Sequence, residues 1–374
     1  MYQTSFVGDV ALKDAPLALT LVVPTFNESA NIEPLIERVA IALAGIEWEA
    51  IFVDDGSIDG TPELLTRIAQ SDRRIRLIRR IGRRGLSSAV VEGALASTAP
   101  VIAVMDADLQ HDETILPDLY REISEGRELA IGTRYAGNGS TGDWNARRLK
   151  ISRFATRLAT LVTKTPLSDP MSGFFAVRRD IFLEAAPNLS RVGYKILLDL
   201  VASSSRPLDS AEVGYTFGKR LHGESKLDHA VALEYFELLL DKLIGRFVPV
   251  KLVMFGLVGA SGVLVHLTLL KTLLSGAQLP FAAAQASAVI GAMIFNFAMN
   301  NHFTYRDRHL SGLAWLRGLF TFMLVCSVGA VANVGIGSLV YHRVAEWWVA
   351  GIAGALVGSV WNYVASGWLT WARR

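Results

Sequence analysis

The stretch VIAVMDADLQH, residues 101–111, carries an apolar run directly into two carboxylates that are separated by one residue. The apolar part is typical of a buried strand, and Asp106 and Asp108 follow where that strand ends. In an extended segment Asp106, Asp108 and Gln110 project to one side. Their oxygen atoms suit Mg²⁺ or Mn²⁺, which can also hold a diphosphate. The stretch therefore predicts a metal-assisted diphosphate site, although a polar turn gives the same spacing.

Short apolar runs alternate with helix-like stretches over residues 17–215, which is typical of an α/β domain on a mostly parallel sheet. Two more polar motifs follow apolar runs, VVPTFNE at residues 22–28 and IFVDDGSIDGT at residues 51–61. In open α/β sheets, ligands bind outside the carboxyl ends of the strands. The three motifs together predict one site at that edge.

The 374-residue chain is 51% hydrophobic, which is too apolar for a fully soluble protein. From Pro249 onward it has eight Lys or Arg and only two Asp or Glu. The acidic chemistry therefore lies before Pro249. Cys326 is the only cysteine, so no intramolecular disulfide can form. We expect a bilayer as partner and no nucleic acid.

Four apolar segments, residues 252–274, 281–299, 319–341 and 347–368, each approach the ~20 residues that cross a bilayer. Basic residues flank one set of their ends: Lys242, Arg246, Lys251, Arg306, Arg308, Arg317, Arg373 and Arg374. By the positive-inside rule, this predicts a multi-pass integral protein of the cell membrane with both termini and the α/β domain in the cytoplasm.

The membrane half contains an internal similarity. FNFAMNNHFTY at residues 295–305 resembles WNYVASGWLTW at residues 361–371, with Asn296 and Asn362 aligned. FGLVGASG at residues 255–262 resembles FMLVCSVG at residues 322–329. The similarity predicts a helical hairpin used twice, with chance likeness between apolar segments as the alternative.

The segment at residues 228–248 joins the two halves and has apolar residues at helical spacing with charges between them. That pattern is typical of amphipathic helices lying on a membrane surface. It is equally typical of an ordinary helix that packs on the α/β domain.

The strand-end motifs resemble those of glycosyltransferase family 2, which implies a GT-A-type nucleotide-sugar-binding domain. Four later motifs narrow the resemblance to the polyprenol (dolichol)-phosphate mannose synthases: IGTRY (131–135), SDPMSGFFAVRR (168–179), GYKILLDL (193–200) and GYTFGKRLHGESKL (214–227). The membrane half resembles a GtrA-like domain. The implied organisation is an extension (1–16), a GT-A-like catalytic domain (17–227), amphipathic interfacial helices (228–248) and an all-α, four-helix GtrA-like transmembrane domain (249–374).

The resemblance also implies a set of site residues. Donor contacts fall on Pro24, Phe26, Glu28, Val53, Asp55, Asp106, Ala107, Asp108, Gln110, Arg134, Arg220 and Lys226. The metal ligands are Asp106, Asp108 and Gln110. The acceptor phosphate falls to Arg134, Arg148 and Arg220, and the catalytic residues are Asp108, Arg134 and Arg220. Fixed arginines screen the repulsion between an anionic donor and an anionic acceptor.

The implied function is transfer of mannose from GDP-mannose to a polyprenyl (dolichyl-type) phosphate, with inversion, at the cytoplasmic membrane face and with Mg²⁺ or Mn²⁺ as cofactor. One alternative is an undecaprenyl-phosphate glucosyltransferase that uses UDP-glucose, and another is a non-catalytic lipid carrier. An ionised acceptor phosphate needs no general base, so His111 is expected to have a local structural role.

Overall fold

The computed structural model describes residues 16–142, 146–190, 193–218, 229–245, 247–344 and 347–372. The chain divides into two units, Met1–Leu243 and Ile244–Arg374. The strands of the first unit are β1 Leu19–Thr25, β2 Trp48–Asp54, β3 Ile75–Arg79, β4 Val101–Val104, β5 Leu129–Thr133, β6 Phe175–Arg178 and β7 Ser210–Gly214. Its helices are α1 Ser29–Ala42, α2 Thr61–Ser71, α3 Leu86–Ala96, α4 Leu116–Ser124, α5 Ala146–Ala159, α6 Arg179–Ala185, α7 Ile196–Ser203 and α8 His229–Ile244.

The seven strands form one sheet in the order β3-β2-β1-β4-β6-β5-β7. β3, β2, β1 and β4 are mutually parallel, whereas β6 runs antiparallel to both β4 and β5. The α/β prediction is confirmed, and the sheet is mixed because of β6. Thr25 is in register with Asp54, and Val22 with Val104. The ends of β1, β2 and β4 therefore lie at one edge of the sheet.

Both faces of the central strands are buried, because side chains pack into separate cores on the two faces. Leu21 and Val23 contribute to one core, and Val22 on the opposite face contributes to the other. This double burial explains why the strands appear in the sequence as continuous apolar runs.

Helix α8 packs through one face against the rest of the first unit. Leu238 and Leu239 are buried there, and the Tyr235 hydroxyl donates a hydrogen bond to the Ala155 carbonyl oxygen at 2.6 Å. Lys242 Nζ lies 2.6 Å from the buried Asp199 carboxylate. The structure thus shows the packing expected of an ordinary helix, while placement at a membrane surface stays a prediction.

The described residues of the second unit form four long helices, as expected for the membrane half. They are α9 Val250–Ser275, α10 Phe281–Met299, α11 Gly312–Val344 and α12 Trp347–Leu369. Within the part of the chain that the structure describes, three segments are long and apolar enough to cross a membrane: Val250–Ser275, Phe281–Thr304 and Gly312–Val331.

The internal repeat is visible in the packing of these helices. A Cβ atom added at Gly262 of α9 would overlap the Asn296 side chain of α10, and one added at Gly329 of α11 would overlap Asn362 of α12. Asparagines at equivalent positions therefore pack on glycines at equivalent positions in the two hairpins. In each case a glycine lets the helices approach closely enough to cover a polar side chain.

Aromatic contacts between the two hairpins also recur between residues at equivalent sequence positions. Phe255 lies 5.9 Å from Tyr363, and their sequence equivalents Phe322 and Phe297 lie 5.7 Å apart between ring centroids. Tyr305 stacks on its own equivalent, Trp371, at 4.1 Å. Contacts that recur with the partners exchanged are those of a two-fold arrangement. The structure therefore supports a duplicated hairpin.

The glycine–asparagine contact predicts a specific sensitivity to added volume. We expect Gly262→Ala to destabilise the membrane unit by about 1–3 kcal/mol, because overpacking forces the helices apart. Gly259→Ala is the matched control, since a Cβ at that position would have no atom within 4 Å apart from the adjacent backbone of its own helix. Thermal unfolding in detergent measures both variants, and the double variant Gly262→Ala/Asn296→Ala should recover stability. Equal melting of the Gly262→Ala and Gly259→Ala proteins would contradict the packing.

Candidate active site

The acidic motif lies in a turn immediately after β4. Leu109 has a φ of 59°, and the Gln110 amide donates a hydrogen bond to Asp108 Oδ1 at 3.2 Å. The expectation that Asp106, Asp108 and Gln110 share one side of an extended segment is therefore wrong. A left-handed residue reverses the chain, and this reversal brings the Gln110 backbone to the Asp108 carboxylate.

Gln110 also joins the motif to the segment after β7. Its side-chain amide donates to the Gly218 carbonyl oxygen at 3.0 Å, and the Gly218 amide donates to the Gln110 carbonyl oxygen at 2.8 Å. A Cβ at Gly218 would lie 3.2 Å from the Gln110 carbonyl oxygen, so glycine permits this close approach. The segment that precedes the GESKL sequence is thus tied to the acidic turn.

The oxygen atoms of the acidic turn suit a metal ion that is bound partly by the protein and partly by a diphosphate. They do not form a complete ligand shell by themselves. No group of three or more His, Cys, Asp or Glu suitable for holding a metal occurs within the described ranges. Two carboxylates and an amide oxygen make an incomplete shell, of the kind that Mg²⁺ completes with phosphate oxygens and water. Asp106, Asp108 and Gln110 would hold such an ion together with a diphosphate.

The carboxylate of Asp55, at the end of β2, is engaged by the segment that follows β3. Arg80 Nη1 lies 2.6 Å from Asp55 Oδ1, and the Gly85 amide donates to Asp55 Oδ2 at 2.7 Å. The Arg80 side chain is only 2% exposed. Burial raises the pKa of Asp55, and the Gly85 and Arg80 contacts act against that shift.

Asp54, beside it, is a turn residue. Its carboxylate accepts hydrogen bonds from the amides of Gly56 and Ser57 and from the Ser57 hydroxyl. These bonds hold the DDGS sequence in its turn, in which Gly56 has a φ of 78°. Asp54 therefore shapes the loop that presents Asp55.

The β1 end contributes an aromatic surface. Phe26 is half-buried, and the Arg84 guanidinium lies 4.3 Å from its ring centroid. Glu28 accepts a hydrogen bond from the Asn31 side chain at 2.6 Å, and its backbone amide donates to the Thr61 hydroxyl. Pro24 is half-buried at the same strand end. Pro24, Phe26 and Glu28 lie at the end of β1 and just beyond it, next to the end of β2.

Arg134 follows β5 and is held by a buried carboxylate. Its Nε and Nη2 atoms donate to the two oxygens of Asp169 at 2.7 and 2.8 Å. The side chains of Arg134 and Asp169 are 10% and 0% exposed. A bidentate pair fixes the plane of the guanidinium, so Arg134 has a defined orientation.

His111 follows the acidic turn, and its side chain is buried inside the fold. Its ring stacks on Phe174 with centroids 5.1 Å apart, and Tyr215 and Phe217 meet it in edge-to-face geometry with ring centroids 5.8 Å away. Burial lowers the pKa of His111 to about 4, so the ring is neutral near pH 7. The expected structural role for His111 agrees with this setting.

The other predicted site residues are either buried or lie outside the described residues. Val53 and Ala107 are buried, and Val53 packs in the core beneath the site. Arg220 and Lys226 lie outside the described residues. Arg148 belongs to α5, but its side chain also lies outside the description.

The sequence interpretation missed two residues that organise the site, Arg80 and Asp169. Asp169 lies inside the quoted SDPMSGFF motif, so its placement there was an available signal. Arg80 contacts a carboxylate 25 residues earlier in the chain, and no local periodicity indicates such a pair.

The buried pair predicts a strong response at Asp169. We expect Asp169→Asn to lower the free energy of unfolding by about 3–5 kcal/mol, because the change removes the buried carboxylate that accepts two hydrogen bonds from the Arg134 guanidinium. Asp180→Asn is the matched control, since Asp180 forms an exposed pair with Arg178 and should cost less than about 1 kcal/mol. Denaturant unfolding followed by tryptophan fluorescence measures both. Similar losses in the two variants would refute the assignment.

Comparison with known proteins agrees with the division into two units. The model for glycosyl transferase family 2 matches residues 20–185. The model for the GtrA/DPMS transmembrane domain matches residues 254–371. The chain is thus a glycosyltransferase followed by a membrane domain.

Three similar proteins illustrate the relationship. Dolichol-phosphate mannosyltransferase from Pyrococcus furiosus is 31% identical over 358 residues, covering 95% of this chain and 100% of that protein. Dolichol-phosphate mannosyltransferase from Mycosarcoma maydis is 38% identical over 242 residues, covering 63% of this chain and 82% of that protein. Glucosyl-3-phosphoglycerate synthase from Mycobacterium tuberculosis, solved with Mn²⁺, UDP-glucose and phosphoglyceric acid, is 23% identical with a TM-score of 0.44, covering 61% of this chain and 80% of that chain.

The third likeness is too low to support a conclusion about this chain. The similarity to the Pyrococcus protein, in contrast, runs through both units and spans that protein completely. This full-length match, together with the two domain matches, shows that the chain belongs to the dolichol-phosphate mannosyltransferase family.

Proposed function

We propose that this chain transfers mannose from GDP-mannose to a polyprenyl phosphate of the dolichyl type, with inversion, at the cytoplasmic face of a membrane. The observation that carries the proposal is the full-length relationship to a dolichol-phosphate mannosyltransferase, which includes the membrane half. The geometry supports it, because acidic and basic groups lie at the sheet edge where β1 and β2 end.

The nucleoside part of the donor would occupy the pocket at the ends of β1 and β2. Phe26 offers a ring face for the base, and the Asp55 carboxylate is held at the same edge by Arg80 and Gly85. Pro24 and Glu28 complete that side. Arg84 lies over Phe26 and carries a positive charge to the mouth of this pocket.

The diphosphate would lie over the acidic turn. Asp106, Asp108 and Gln110 would hold Mg²⁺ or Mn²⁺, and a bound ion neutralises the charge that builds up on the departing diphosphate. Arg134 would present its guanidinium to the phosphates in the plane that the two hydrogen bonds to Asp169 fix. Arg220, Lys226 and Arg148 are further candidates for phosphate contact, in donor or acceptor roles.

In the proposed reaction an oxygen of the lipid phosphate attacks the anomeric carbon. The bond from that carbon to the diphosphate breaks, and GDP leaves with the electron pair. A direct displacement converts an α-linked donor into a β-linked mannosyl phosphate. The acceptor oxygen is already ionised near neutral pH, so no side chain has to remove a proton. The contribution of the protein is orientation and charge stabilisation.

The membrane unit would keep the catalytic unit close to its lipid substrate. We place four spans in the bilayer, with the basic ends of the helices and both termini on the cytoplasmic side. This orientation follows from residues such as Lys251, Arg306 and Arg317, which lie at one set of helix ends. It places the donor pocket in the compartment that holds nucleotide sugars.

Donor choice is tested by supplying labelled sugars in parallel. The purified protein receives a polyprenyl phosphate, Mn²⁺ or Mg²⁺, and either GDP-[¹⁴C]mannose or UDP-[¹⁴C]glucose. We expect label in the lipid fraction only from GDP-mannose. Asp108→Ala should reduce transfer by at least about 100-fold, because it removes a group that stabilises transition-state charge. Transfer only from UDP-glucose would assign the undecaprenyl-phosphate glucosyltransferase activity, and transfer from neither donor would favour a lipid carrier.

A further inference from the structure

The segment that joins β3 to α3 is anchored at both ends to one carboxylate. At its start, Arg80 Nη1 lies 2.6 Å from Asp55 Oδ1, and the Arg80 backbone amide donates to the Asp54 carbonyl oxygen at 2.9 Å. At its end, the Gly85 amide donates to Asp55 Oδ2 at 2.7 Å. Both ends are therefore fixed beside the carboxyl end of β2.

The residues between these anchors, which we call the 81–84 loop, are all exposed. Gly82 has a φ of 69° and Gly85 a φ of 138°, and both values favour glycine. Arg83 Nη1 lies 2.8 Å from Glu92 Oε1 of α3, in an ion pair at the surface. Such pairs contribute little to stability. The 81–84 loop can therefore move while its two anchored ends stay in place.

The 81–84 loop carries Arg84 onto the ring of Phe26. The centre of the Arg84 guanidinium lies 4.3 Å from the Phe26 ring centroid. Phe26 directly follows β1, whose last residue, Thr25, is in register with Asp54 of β2. Non-bonded atoms meet at about 3.5–4.0 Å, so no ring fits between Arg84 and Phe26 as they stand. A base that stacks on this face of Phe26 would take the place that Arg84 holds.

We propose that Arg84 is a donor-binding residue that closes over the nucleobase. The base displaces the guanidinium from Phe26 and then lies between the Phe26 ring and Arg84. The inference rests on the proposed function, in which Phe26 offers a ring face to the base. Arginine suits this position, because its guanidinium is planar, weakly hydrated and stacks on aromatic faces.

The exchange replaces one stacked contact with two. Arg84 is exposed, and a cation–π contact at an exposed site is weak, so a base can displace it. Once bound, the base has a ring on one face and a guanidinium on the other, and stacking on protein side chains contributes substantially to binding of bases. The two glycines of the loop allow Arg84 to move outward while Arg80 keeps its contact with Asp55.

A phosphate contact is the other role that an arginine beside a nucleotide site could have. A guanidinium that binds phosphate contributes more as phosphates are added to the ligand, because its contact is with their charge. A guanidinium that stacks on the base contributes equally to guanosine, GMP and GDP. The two roles therefore differ in how the effect of a substitution depends on the number of phosphates.

Nucleotide binding to the full-length protein in detergent, without metal, measures this difference. Guanosine, GMP and GDP compete with a fluorescent GDP analogue, whose affinity is first determined for each variant. We expect Arg84→Ala to weaken all three ligands by a similar factor, about 3–10-fold. Arg84→Lys should lose most of the same affinity, since an ammonium keeps the charge but not the planar stacking surface.

Arg83→Ala is the matched control, because it removes the same charge from the same loop. Arg83 pairs with Glu92 and not with Phe26, so this variant should bind guanosine like the parent. Phe26→Ala tests the pocket itself. Guanosine affinity that is unchanged by Phe26→Ala would contradict the base position in the proposed function. Weaker binding in Phe26→Ala together with parent-like binding in Arg84→Ala would overturn the role of Arg84 alone.

Two further results would also overturn the stacking role of Arg84. One is a loss in Arg84→Ala that grows from guanosine to GMP to GDP and is restored by Arg84→Lys, since this pattern belongs to a phosphate contact. The other is an equal loss in Arg83→Ala and Arg84→Ala, since the general positive charge of the loop would then be responsible.

Discussion

Parallel pairing of β1 with both β2 and β4 is the constraint on which the site depends. The pairing places the three strand ends at one edge, with Thr25 opposite Asp54 and with Val104 leading into the acidic turn. Motifs that are far apart in the sequence are thereby brought to the same edge of the sheet. The strands are buried on both faces, so a slip in register would expose a core face to solvent.

Charge is arranged around this edge in pairs. Two of the charged site residues are oriented by a buried partner: Arg80 holds Asp55, and Asp169 holds Arg134. Such buried pairs contribute little net stability compared with apolar packing. Their value here is orientation, because two anionic substrates must be brought together in a fixed geometry. The sequence motif SDPMSGFF supplies one of these partners, Asp169.

The sequence predicted the elements better than the contacts between them. Apolar runs and helical spacing located the strands, the helices and the duplicated hairpin, because burial leaves a periodic record. The acidic turn was predicted as extended, since nothing local shows that Leu109 adopts a positive φ. The partner of Arg134 was also missed. Pairing between residues 35 positions apart depends on how β5 and the loop before β6 meet, and only the folded sheet shows this.

In the membrane half, too, the sequence predicted the helices but not the contacts between them. Its repeat was detectable because Asn296 and Asn362 align, yet the reason for the alignment lies in Gly262 and Gly329 on the neighbouring helices. Apolar composition indicates that helices are embedded, but a lipid environment gives little information on which faces pack. The glycine positions supply that information once they are matched to the asparagines.

The central claim is that the turn after β4 holds a divalent cation against the donor diphosphate. Anomalous scattering from crystals of the protein with GDP and Mn²⁺ measures this directly. The account predicts a manganese peak bridging the diphosphate and the oxygen atoms of Asp108 and Gln110, with Asp106 beside it. Bound GDP with no manganese at this turn, or with manganese held by other residues, would contradict it.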